Sequence, residues 1–132
     1  LALGCSGSAD EGCLSIDPSE AFVIEGSVHS IDFAPESKSY TVTNDCDTAV
    51  EIDIDDNVRW LDVEIEAFGD EEGGTVAADD TVEVVIEVRY GTDDPSRLDQ
   101  LAAGKYDGEI IFEDETNSTT VIRTADLTVS EP

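Results

Sequence analysis

Carboxylates are the first chemistry this chain offers. Asp53, Asp55, Asp56 and Asn57 set oxygen-bearing side chains at near-alternate positions, as loops that hold calcium do. Calcium takes about six to eight oxygens from a shaped loop, and none of the acidic runs carries the glycine and the closing glutamate of an EF-hand. A solvated acidic surface accounts for the same residues, because 33 Asp and Glu produce clusters by chance. Two acids about 5 to 9 Å apart across a cleft can also hydrolyse a glycoside. With this many acids such pairs are unavoidable and carry no signal. His29 is the only histidine. It lacks a recognisable nucleophile, and no nucleophile elbow, phosphate loop or dinucleotide fingerprint is present, so it reads as a surface loop residue. The chain is expected to be no enzyme and to need no cofactor, a possible calcium ion apart.

The charge balance excludes whole classes of partner. Six Lys and Arg face 33 acids, a formal net charge of −27. Such a field repels nucleic acid and anionic lipid alike. Only Lys38 and Lys105 are lysines. Low lysine with high Asp and Glu fits a chain working in high salt, where screening removes self-repulsion.

The cysteines and the first residues suggest an address. Leu1-Ala2-Leu3-Gly4-Cys5 resembles the tail of a secretory signal ending in a lipobox, with Cys5 as the lipid acceptor and Ala2 where leucine is more usual. Residues 6–12 are small and polar and read as a tether from anchor to domain. An odd cysteine count in an exported chain points to one that does not pair internally. If Cys5 carries lipid, Cys13 and Cys46 remain as a disulfide. The competing pair, Cys5 with Cys13, closes only a small loop and denies Cys5 its lipid, and two reduced buried thiols are the third option. The protein is then expected at the cell surface or outside the cell, touching membrane only through lipid.

Trp60 is the only tryptophan. Exposed, it could stack on a sugar ring; buried, it plugs a sandwich core. Leu61, Val63 and Ile65 share one face of a strand, so Trp60 needs a bulge to turn inward. Burial is favoured, because a lone Trp in a small sandwich supplies much of its core area. Solvent-facing Trp60 and Tyr90 near each other would mark a glycan surface.

These residues must be positioned by strands. Apolar residues alternate with polar ones in short runs: Leu14 to Ile16, Ala21 to Ile24, Ser39 to Thr43, Val50 to Ile54, Leu61 to Ile65, Val82 to Val88, Tyr106 to Phe112 and Ala125 to Val129. Period-two alternation between turn signals predicts seven or eight strands, each with one wet and one buried face. Helical spacing occurs once, over Pro95 to Ala102, where Asp93 or Asp94 can cap a short turn and Gly104 can end it. At 39 % hydrophobic residues, 132 residues can bury one core. The expected fold is all-β, an immunoglobulin-like two-sheet sandwich over residues 13–132 with one helical turn in a crossover loop.

Several segments, in order, resemble a known family. Ser39-Tyr40-Thr41-Val42-Thr43-Asn44, Trp60-Leu61, Gly73-Gly74, the strand Thr81 to Val88, Leu101-Ala102-Ala103-Gly104-Lys105-Tyr106-Asp107-Gly108-Glu109-Ile110 and Leu127-Thr128-Val129 are similar to a BACON-type immunoglobulin-like domain of bacterial surface proteins. The resemblance implies binding of glycan or mucin, or a spacer role. The acidity, the two extra cysteines and the insertion Gly91 to Gln100 depart from it. Gly104 would allow a sharp entry into a strand, Tyr106 would tie a loop with its hydroxyl, and Gly108 would leave room for Trp60. Together these readings give a non-catalytic surface module for binding or adhesion, with a glycan or protein ligand. The alternative is a structural subunit or spacer joined to other copies of itself by edge-strand addition.

The charge reading makes one prediction. Thermal melts from about 0.05 M to about 2 M NaCl are expected to shift upward with salt as self-repulsion is screened. A melting temperature that stays flat would dissociate the acidity from salt adaptation.

Overall fold

The computed structural model describes residues 13–69, 71–91 and 93–131. The lipobox-like start with Cys5, and the tether, lie outside the described residues. The strands are β1 (Leu14–Asp17), β2 (Phe22–Ser27), β3 (Ser37–Asn44), β4 (Val50–Asp56), β5 (Leu61–Glu64), β6 (Gly73–Val76), β7 (Thr81–Val88), β8 (Gly104–Asp114) and β9 (Thr119–Ser130). They form two sheets, β1-β3-β7-β5 and β2-β9-β8-β4-β6, packed as an immunoglobulin-like sandwich. Pairing is antiparallel except between β2 and β9, which run parallel.

The period-two pattern decides which side chains meet. Val82, Val84 and Ile86 of β7 are buried while Thr81 and Glu83 face water, and Val50, Ile52 and Ile54 of β4 follow the same rule. Tyr40 of one sheet meets Phe112 of the other edge-on, ring centres 5.6 Å apart, so the two inner faces interlock. Eight strands are announced by alternation. The ninth, β6, is not, because two glycines leave Gly73–Val76 with one buried apolar side chain, Val76. The expected helical turn is a single 3-10 turn, Leu98–Gln100. Asp94 does not cap it but accepts hydrogen bonds from Ser96, and Gly104 opens β8 instead of ending the turn. A second 3-10 turn, Glu66–Phe68, stops at Gly69 in the left-handed region (φ +68°).

The chain changes sheets between β1 and β2, and this crossing is tied down. Arg123 of β9 faces the crossing. Its Nη2 donates to the Ile16 carbonyl at 2.7 Å and its Nε to the Pro18 carbonyl at 3.1 Å. Two buried polar side chains lie near β1 and β3, both fully employed. The Asn44 amide donates to the carbonyls of Thr48, Val76 and Ala77 and accepts from the Cys46 N–H. Asp114 accepts from the N–H groups of Cys13 and Asn117 and from the Asn117 amide.

The register Leu14↔Asn44 sets the start of β1 beside the end of β3. Cys13 and Cys46 therefore stand 5.2 Å apart at Cα and are joined as a disulfide. The bond closes a separation of 33 residues. Its loss, by reduction or by the double substitution C13S/C46S, is expected to lower unfolding free energy by roughly 3 to 4 kcal/mol. Denaturant titration with and without reductant is the measurement, and unchanged midpoints would deny the bond a stabilising role.

Candidate functional site

Trp60 is 4 % exposed and belongs to the core, the favoured of its two readings, and the alternative of a sugar-stacking residue is corrected. No bulge is needed: Trp60 lies in the turn before β5, which begins at Leu61, and both side chains go inward. Gly108 makes the room, since a Cβ there would meet Val58 Cγ2 at 3.0 Å and Trp60 Cη2 at 3.3 Å. Tyr90 is half-buried. Its ring packs 6.2 Å from that of Phe33, and its hydroxyl donates to the Ile31 carbonyl at 3.3 Å. It borders a shallow hollow of about 280 Å³ with Glu36, Ser37, Glu87 and Val88, without Trp60 on the surface beside it. The Tyr106 hydroxyl does tie its loop, donating to the Ala102 carbonyl at 2.7 Å. His29 is exposed in a turn.

The four residues of the calcium reading are not gathered. The Asn57 Oδ1 is taken by the Glu109 N–H at 2.7 Å. Asp56 lines a groove with Glu72, and Asp53 lies across the register from Glu113. Instead, carboxylate oxygens of Asp53, Glu113 and Glu115 come within 4.8 Å of one another on the outer face of the five-stranded sheet. Register brings these three together, and no run in the sequence announces them.

The groove, about 190 Å³, is lined by Asp55, Asp56, Asp62 and Glu72 with Arg59, Arg89 and Arg97. Half of the six cations in the chain thus gather at one place. Arg89 pairs with Asp62 at 3.7 Å, and Asp94 bridges Arg59 at 3.6 Å and Arg97 at 3.7 Å. Burial, helped by Asp55, pushes Asp56 up to about 6. Burial, with neighbouring carboxylates, also raises Asp53 and Glu72.

The edges of the sandwich differ in how they are guarded. On β1, the Ile16 carbonyl is taken by Arg123, and the residue ahead of the strand is held by the disulfide. On β2, Glu25 exchanges both backbone hydrogen bonds with Ala34 at 3.0 Å. On β6, the opposite edge of the five-stranded sheet, no such cover appears among the described residues. The Ile54 N–H donates to the Glu72 carbonyl, so by antiparallel alternation Gly74 and Val76 bond β4. The N–H and C=O of Gly73 and Thr75 therefore point away from the sheet. The same alternation, set by the Arg89 N–H on the Trp60 carbonyl, turns the backbone groups of Leu61 and Val63 outward on β5.

No protein-family profile and no curated protein matches the chain. Solved structures do. The ASH/PapD-like domain 7 of human CEP192 matches with TM-score 0.57 at 8 % identity, over 93 % of this chain and 89 % of that one. The CupB2 chaperone of Pseudomonas aeruginosa matches with TM-score 0.57 at 8 % identity, over 88 % and 55 %. A family 123 glycoside hydrolase of Clostridium perfringens matches with TM-score 0.65 at 6 % identity, over 90 % of this chain but 27 % of that one. At these identities the likeness establishes the fold alone.

Asp56 yields a pH prediction. Its pKa is higher folded than unfolded, so the folded state takes up the proton first. Stability from this group is gained as pH falls through about 6 towards the ordinary aspartate value of 3.8, and is absent above about 6. Asp56→Asn is expected to raise stability at pH 7.5 by about 1 kcal/mol, after allowance for solvent screening, and to flatten the gain on acidification. Urea titrations at pH 7.5 and pH 5 check both signs; a variant less stable at pH 7.5 would contradict them.

Proposed function

We propose that this chain is a non-catalytic interaction module of the cell exterior that binds an extended segment of a protein partner by strand addition. The observation that carries the reading is the contrast between edges: β1 and β2 carry local covers, at the Ile16 carbonyl and at Glu25, whereas the outward backbone donors and acceptors of β6 meet no partner among the described residues and are offered to a further strand. The fold likeness to a bacterial chaperone agrees with a protein partner. Burial of Trp60 takes away the stacking platform that a glycan ligand would need. The Cys13–Cys46 bond suits an oxidising compartment. Anchoring through lipid on Cys5 and a setting beside surface proteins, as the BACON resemblance implies, complete the reading. Another copy of the chain is the poorer partner, because two surfaces of net charge −27 repel.

Side-by-side probing of a glycan array and an array of unstructured peptides tests the choice. Saturable binding to a subset of peptides, with none to glycans, is expected. Saturable glycan binding without peptide binding would overturn the proposal.

A further inference from the structure

Resting on the strand-addition reading, we infer that the free edge of β6 is the docking strand, and that its occupant is an extended segment of another protein bearing lysine or arginine on alternate residues. The backbone supplies the rail: the outward groups of Gly73 and Thr75 repeat at the two-residue spacing of a β ladder. The charge beside that rail selects the side chains. On the outer face of the sheet, Glu51 pairs across from Thr75 and Asp53 across from Gly73, and Glu113 follows on β8 with Glu115 just beyond it. Among the described residues no lysine or arginine pairs with these four carboxylates. The groove arginines are engaged with Asp62 and Asp94, Arg123 holds the β1–β2 crossing, and Lys105 lies eight residues along β8 from Glu113.

Gly73 is what lets an added strand reach this charge. An added strand would lie about 4.8 Å beyond β6. No side chain at Gly73 stands in the way, and the Asp53 carboxylate already leans over it, Oδ1 lying 3.0 Å from where a Cβ would be. A lysine or arginine stem crossing Gly73 would bring its charge to the Asp53, Glu113 and Glu115 oxygens. Residues of the added strand facing the other way would meet Phe68, whose ring packs on Gly74. The occupant is thus cationic on one face and apolar on the other.

The test uses the whole chain and two short peptides, one alternating lysine with valine, the other glutamate with valine. The lysine peptide is expected to protect the Gly73 and Thr75 amides from hydrogen exchange. It should bind about tenfold tighter than the glutamate peptide, a gap that narrows between about 0.05 M and about 0.5 M NaCl. Thr75→Pro should weaken binding about tenfold and leave folding intact, because this N–H points away from β4. The double substitution E113Q/E115Q, on exposed side chains, should weaken the lysine peptide alone, and it remains informative if the proline variant does not fold. Equal binding of both peptides, or protection at Leu61 and Val63 instead, would overturn the β6 assignment and leave strand addition standing. If neither peptide protects any edge amide, both readings fall.

Discussion

Cohesion in this molecule has to come from one apolar layer, because the charged side chains mostly push. Thirty-three acids against six cations leave no general supply of ion pairs, so every carboxylate that can face water must do so. Alternation meets that demand: β4 and β7 send branched aliphatic residues inward and, Val85 apart, acids or threonine outward. The two buried polar side chains Asn44 and Asp114 enter the interior with hydrogen-bond partners. Asp56 is the compromise, a carboxylate partly withdrawn from water and displaced in pKa for that reason.

Scarce cations then become architectural. Arg123 pairs with no acid among the described residues; it satisfies backbone carbonyls where the chain leaves one sheet for the other. Together with the disulfide and the Glu25–Ala34 bridge it guards part of each edge on one side of the sandwich. The arginines around the groove hold the 3-10 crossover to the β4–β5 turn through Asp94. The result is a two-sided object, guarded at points on β1 and β2 and, among the described residues, open at β6. Charged surroundings are a common guard on a free edge, and around β6 that guard has one sign only.

What could be read from the sequence was whatever repeats in the pattern or follows from register. Alternation located eight strands. Cysteine arithmetic pointed to the Cys13–Cys46 pair, and the register of β1 with β3 is what closes it. Tyr106 and Gly108 followed from their places around one strand. Illegible were features made by tertiary placement. β6 carries too few side chains to show a period. Trp60 turns inward because β5 starts one residue later, a boundary that propensity does not resolve. The Asp53–Glu113–Glu115 cluster needs the pairing of β4 with β8 before it exists.

The parallel pairing of β2 with β9 also orders events in time. Phe22 finds its neighbour Ala125 across roughly a hundred residues, whereas β1 and β3 meet across a short stretch. As the chain folds, the first half can knit β1 to β3 early and bring Cys13 beside Cys46. The other sheet stays without its second strand until β9 arrives. Nascent chains therefore pass through a stage with β2 unshielded, and Val23, 53 % exposed even when folded, lies on that strand. A formal charge of −27 on every copy opposes the meeting of two such half-finished chains.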